Sequence, residues 1–125
     1  MKNFKNKVAA ITGAGSGIGQ QLAVLLAKQG CHLSLSDVNA QGLAQTVELL
    51  EKSNVRVTTQ KLDVADRDAM KLWAADTVQH HGSVNMIFNN AGVALGSTVE
   101  GASYEELEWI VNINFWGVVY GTKEF

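Results

Sequence analysis

The chain has 125 residues, 46% of them hydrophobic, which is enough apolar material for one compact domain and too little for two. Its 10 basic and 12 acidic residues give a formal net charge of -2, with no basic run of the kind that neutralises a phosphate backbone, and this argues against a nucleic-acid partner. The lone cysteine, Cys31, excludes an internal disulfide and reads as a small buried apolar side chain.

The first residues, Met1 to Lys7, are basic like the start of a signal peptide, but the apolar run Val8 to Ile11 is far too short for such a peptide's core and ends in glycines. No stretch approaches the length that spans a bilayer, so no membrane partner is expected and the location expected is cytoplasmic. Val8 to Ile11 instead suits a strand buried on both faces. From Ile18 the apolar positions Ile18, Leu22, Leu25 and Leu26 form a helix-period stripe that closes at Gly30. A second strand follows, in which Cys31, Leu33 and Leu35 alternate with His32, Ser34 and Ser36. Leu43, Val47 and Leu50 carry a second helix, and Val55, Val57 and Thr59 a third strand leading to Leu62 and Asp63. The helix period returns at Met70, Trp73, Ala74 and Val78 and stops at Gly82. Val84 to Phe88 forms the fourth strand, which runs into Asn89, Asn90, Ala91 and Gly92. After a polar loop, Ser103 and Glu106 have the spacing of a capping box and open a long last helix.

This βαβαβαβα rhythm predicts an α/β chain with a doubly wound parallel sheet. It has three layers, α/β/α, and is incomplete at about four strands. Ligands of such sheets sit beyond the carboxyl ends of the strands, where Gly13 to Gly19, Asp37, Asp63 and Asn89 to Gly92 converge. The turn Thr12-Gly13-Ala14-Gly15-Ser16-Gly17-Ile18-Gly19 follows a strand and opens a helix. Glycines there let the backbone approach a pyrophosphate, and the helix amino end offers unpaired amides and a positive dipole. It is not a nucleotide-triphosphatase phosphate loop, since no Gly-Lys-Ser or Gly-Lys-Thr follows. Asp37 ends the second strand, where a carboxylate accepts hydrogen bonds from adenosine ribose hydroxyls. Its charge would repel a 2′-phosphate and no arginine or lysine stands close after it, so NAD is expected rather than NADP. The competing role for Asp37 is that of a surface cap on the next helix.

Four features in order carry a resemblance: Thr12-Gly13-x-x-x-Gly17-Ile18-Gly19, Asp63-Val64, Asn89-Asn90-Ala91-Gly92 and Asn114-x-x-Gly117. Together they resemble the short-chain dehydrogenase/reductase family, over its amino-terminal half only. The resemblance implies a Rossmann fold over residues 1–125 and a role in hydride transfer between nicotinamide and an alcohol or carbonyl substrate. It implies that Gly13, Gly15, Ser16, Gly17, Ile18 and Gly19 hold the pyrophosphate, Asp37 the adenosine ribose, and Asp63 with Val64 the adenine. Asn90, Ala91 and Gly92 would line the nicotinamide-side ribose, and Asn89 would stabilise the central sheet. Asn114 matches the family's active-site asparagine, which holds a relay water by interrupting regular helix hydrogen bonding.

The family's catalytic tyrosine and lysine stand four apart on one helix face, and this chain has no Tyr-x-x-x-Lys; Tyr120 and Lys123 are the nearest approach. The chain by itself is therefore expected to be inactive. The fourth strand's free edge and the apolar residues Trp109, Ile110, Ile113, Phe115, Trp116, Val118 and Val119 of the last helix predict association, as a homo-oligomer. His80 and His81 adjoin a helix end, where imidazolium suits the dipole, and with no second ligand cluster no metal site is expected. Trp73 joins Trp109 and Trp116 as packing residues. Two functional classes follow: a dehydrogenase whose remaining catalytic groups lie outside this sequence, or a catalytically inert nucleotide-binding or self-associating module.

Overall fold

The computed structural model of the chain describes residues 3–125; Met1 and Lys2, which open the basic start, lie outside the described residues. Among the described residues the strands are β1 (Val8–Ile11), β2 (His32–Asp37), β3 (Val57–Lys61) and β4 (Met86–Phe88). The helices are α1 (Gly17–Lys28), α2 (Ala40–Leu49), α3 (Arg67–His81), α4 (Tyr104–Val111) and α5 (Gly117–Glu124), the last two joined by a π-helical turn at Asn112–Trp116. All strand pairings are parallel and the order is β3-β2-β1-β4. The chain steps outward from β1 to β3, then returns to the other side of β1. That reversal is the topological switch expected of a doubly wound sheet.

Apolar side chains fix which helix covers which face. Leu33 and Leu35 of β2 pack with Ala9 and Ile11 of β1 against Ala23, Leu26 and Ala27 of α1 and Leu43 of α2. Ala10 points to the opposite face, where Met70 and Trp73 of α3 meet Ile113, Tyr120 and Phe125 of the final helical run. The result is three layers, with β1 buried along its whole length. Each leucine buried in this way stabilises the fold by roughly 2–3 kcal/mol relative to exposure.

The alternation in β2 separates two buried faces, not core from solvent. Ser34 and Ser36 are 1% and 0% exposed on the α3 side. Ser34 accepts the indole N–H of Trp73 at 2.9 Å and lies 2.8 Å from the Thr77 hydroxyl, which itself donates to the Trp73 carbonyl at 2.8 Å. At Ser34 the facing helix supplies Trp73 and Thr77 as partners, whereas the Ser36 hydroxyl has no partner among the described residues.

Two strands are shorter than their apolar runs. β3 starts at Val57, not Val55. β4 starts at Met86; just before it Asn85 donates its amide to the Val8 carbonyl at 2.9 Å and accepts the Val8 amide on its side-chain oxygen at 2.8 Å. As expected, α3 ends at Gly82 and Ser103 caps α4, its hydroxyl accepting the Glu106 amide at 3.1 Å.

Candidate functional site

A cavity of about 350 Å³ opens at the carboxyl ends of the strands, across the switch between β1 and β4. Its wall holds Gly13, Ser16, Gly17 and Ile18 of the glycine turn, Asp37, Asp63, Val64, and Asn90, Ala91 and Gly92. Gly15, Gly19 and Asn114 stand behind the wall, and Val38, Leu62, Val93 and Ile113 complete it. Each of those four adjoins a motif residue in sequence, and that adjacency was the only signal that could have singled them out.

The glycine turn is shaped by close approach. A Cβ at Gly19 would run into the Gly13 carbonyl oxygen, and Gly13 itself has φ +63° with Asn90 Nδ2 only 2.9 Å from where a Cβ would sit. Ser16 at the N-cap of α1 makes no side-chain cap, so the first-turn amides keep their donors free for a ligand. Thr12, buried behind the turn, accepts the Asn90 and Ala91 amides at 2.9 Å each and donates to the Phe88 carbonyl at 3.3 Å. One hydroxyl thereby locks the loop after β4 to the end of β1.

Asn90 lines the cavity and also carries the sheet-tying role expected of Asn89. Asn90 ties the strands together, its Nδ2 donating to the carbonyls of Thr12 and Gly13 at 3.1 and 3.3 Å. Asn89 faces the last helix instead, donating to the Thr122 hydroxyl at 3.2 Å. The parallel register sets Phe88 beside Ile11, so the second residue after β4, not the first, reaches back to the turn.

Asp37 is held by two backbone amides, Gly15 on Oδ2 at 2.9 Å and Asn39 on Oδ1 at 3.0 Å. The cap of α2 is Asn39, which accepts the Gly42 amide at 3.0 Å, so Asp37 is free of that duty and faces the cavity. Among the described residues no lysine or arginine lines this wall. Asp63 accepts the Ala65 amide at 2.9 Å, which turns the chain toward Asp66, the cap of α3.

At the far end the helix widens where Asn114 sits: the Gly117 amide reaches back to the Asn112 carbonyl, five residues away. A wide turn of this kind, spliced into an α-helix, leaves a main-chain carbonyl over, and such turns gather at functional sites. The Asn114 side chain pairs with the Val93 backbone, accepting its N–H and donating to its C=O at 2.8 Å each. Tyr120 stacks on Trp116 at 5.9 Å and packs into the α3-side core, away from the cavity wall.

His81 departs from the dipole expectation. His81 is 6% exposed beside Thr58, and burial, with the Arg56, His32 and His80 charges, holds its pKa below the ordinary value. That disfavours the imidazolium form, the one that suits a helix end. His80 lies with Nδ1 2.8 Å from the Asp76 carbonyl. Among the described residues no group of three potential ligands could hold a metal ion, and no helix is long and apolar enough to cross a membrane. Burial also pushes the Cys31 thiol up.

The arrangement thus offers a helix end with uncapped amides, a carboxylate facing the cavity and a loop locked across the cleft. Comparison with known proteins agrees with it. The family model for short chain dehydrogenase matches residues 7–125. The SadH protein of Mycobacterium tuberculosis is 46% identical over 125 residues, which is 100% of this chain and 45% of that protein. Cyclohexanol dehydrogenase of an Acinetobacter species is 36% identical over 119 residues, covering 94% of this chain and 47% of that one. A short chain dehydrogenase/reductase from Burkholderia phymatum, solved in complex with NAD, superposes with a TM-score of 0.95 at 36% identity, covering 100% of this chain and 44% of its own. The chain spans about half the length of the curated relatives it matches.

Proposed function

This chain belongs to the short chain dehydrogenase family, and we propose that its residues 1–125 form the dinucleotide-binding domain of an NAD-dependent oxidoreductase acting on a small alcohol or carbonyl compound. One observation carries the reading: a single cavity gathers the glycine turn, Asp37, the Asp63–Val64 corner and the Asn90–Gly92 loop. A neighbour solved with NAD and a relative named cyclohexanol dehydrogenase support the cofactor and the substrate class. A cytoplasmic location belongs to the same reading.

The residues fit the cofactor. The free amides of the first turn of α1, from Ser16 to Gly19, hold the pyrophosphate, and the near absence of side chains at Gly13 and Gly17 lets it approach. Asp37 binds the adenosine ribose hydroxyls and repels a 2′-phosphate. Asp63 and Val64 flank the adenine, and Asn90, Ala91 and Gly92 the second ribose. The bound nicotinamide supplies or accepts hydride. Asn114 is a positioning residue: it fixes Val93 through two hydrogen bonds and sits in the widened turn whose spare carbonyl holds a relay water.

Titration with NADH and NADPH tests the assignment. NADH binds more tightly, and tighter NADPH binding overturns the role of Asp37. No Tyr-x-x-x-Lys occurs within the chain, so the 125-residue polypeptide binds without turnover; NADH oxidation with a panel of carbonyl compounds would refute this.

Self-association is a second property. Trp109, Val111, Phe115 and Trp116 stand 43–56% exposed along one helical run, and β4 pairs on one side only among the described residues. Sedimentation of the chain shows oligomers; a stable monomer removes this proposal and leaves the cofactor assignment standing.

A further inference from the structure

The glycine turn is braced from outside the motif by two side chains that do not line the cavity. Thr46, on α2 and 0% exposed, donates its hydroxyl to the Ala14 carbonyl at 2.8 Å, with the Gly42 carbonyl farther off at 3.2 Å. Gln20, in the first part of α1, donates through Nε2 to the Thr46 hydroxyl at 3.0 Å and to the Gly15 carbonyl at 3.4 Å. The Ala14 and Gly15 carbonyls are thus engaged on the turn's protein side, one by each helix. The amides of the same residues are also taken, Ala14 by the Ser36 carbonyl at 3.0 Å and Gly15 by Asp37 at 2.9 Å. Neither Thr46 nor Gln20 lines the cavity.

A glycine-rich turn has low barriers to rotating a peptide plane. Rotation at Ala14 or Gly15 would turn a carbonyl dipole toward a bound anion in place of neutral or donor backbone, and would release Asp37 from the Gly15 amide. We propose that Thr46 and Gln20 are positioning residues for dinucleotide binding, which hold the Ala14 and Gly15 carbonyls away from the pyrophosphate and keep the Gly15 amide on Asp37. The inference rests on the cofactor assignment above for its functional half, while the brace is a property of the free chain.

Two measurements separate those halves. In the nucleotide-free chain, Thr46→Val, which keeps the side-chain shape and removes the hydroxyl, speeds amide hydrogen exchange in the Thr12–Gly19 segment by about tenfold, as loss of one buried hydrogen bond implies. It weakens NADH binding by a similar factor, and Thr46→Ser restores both. Gln20→Met, at a less buried position, shifts both quantities the same way and by less. Circular dichroism and exchange in β1 and β2 stay at the parent values, which excludes general unfolding. Parent-like exchange across Thr12–Gly19 in both Thr46→Val and Gln20→Met overturns the brace. Faster exchange with unchanged NADH affinity overturns the positioning role. If the parent chain binds no dinucleotide, the cofactor assignment fails with the positioning role, and the exchange result still decides the brace.

Discussion

On the β2 side of the cleft, β1, β2, α1 and α2 bury Leu33 and Leu35 completely and hold the glycine turn through Gln20, Asp37 and Thr46. On the β4 side that strand pairs through three residues, and the helical run after it leaves Phe115 and Trp116 half exposed. Both sides come from one continuous sequence of similar apolar content, so composition does not separate them. The difference lies in partners. The turn on the near side is held by Gln20, Asp37 and Thr46 from the first half of the chain, whereas β4 on the far side pairs through three residues with β1 alone.

Substitutions can break or sharpen this contrast. The largest effect is expected at Gly19, where an alanine methyl meets the Gly13 carbonyl oxygen with no room to yield; Gly19→Ala costs about 3 kcal/mol, the upper range of overpacking, and an unchanged urea midpoint would mean that the near side is not rigid. Leu35→Ala removes a fully buried side chain and costs about 3 kcal/mol in the same measurement. Its counterpart on the far side, Phe115→Ser, changes the unfolding free energy by less than about 0.5 kcal/mol while lowering the associated fraction in sedimentation. Equal losses at Leu35 and Phe115 would erase the contrast.

A smaller effect is expected at Asp37. Asp37→Ala weakens NADH binding by about tenfold and narrows the preference over NADPH, as loss of a charge-assisted hydrogen bond implies; fluorescence titration checks both. The smallest effect is in pH. Burial first, then Arg56, His32 and His80, holds the His81 pKa below its ordinary 6.5, so on acidification the unfolded chain takes up a proton that the folded chain resists. The corresponding stability is full above about pH 6.5 and is lost as the pH falls through the folded-state value. Urea unfolding at about pH 7.5 and 5.5 should show a smaller acid loss in His81→Gln than in the parent. Identical losses would place the imidazole's proton elsewhere.

Much of this fold could be read from local pattern. Val8 to Ile11 is apolar without alternation because both faces of β1 are covered, and Ser103 announced the start of α4 through its own hydroxyl. Most of the cavity wall was legible for a related reason: in a doubly wound sheet the residues just after each strand share one edge, so chain order alone gathers Gly13, Asp37, Asp63 and Asn90. What was not legible depends on register and helix phase. Asn89 and Asn90 are chemically identical neighbours, and only the pairing of Phe88 with Ile11 decides which reaches Thr12. His81 follows Trp73, Ala74 and Thr77 on the inward stripe of α3 while His80 turns outward, a phase that the helix-end argument ignored. The Gln20–Thr46 pair needs α1 packed against α2 and leaves no trace in either helix's own sequence.

The strand order also has a temporal side. β1 and β2 lie close along the chain, but the opposite flank of β1 is filled by β4, and the Val8 amide waits for an acceptor on Asn85, 77 residues later. During synthesis that flank stays open while three helices and two strands emerge, and long-range pairing of this kind is slow because loop closure comes first. The seam that closes last is the one across which the cavity forms. A ligand that bridges it therefore binds only chains whose β4 has docked, and each binding event draws the folding equilibrium toward completion.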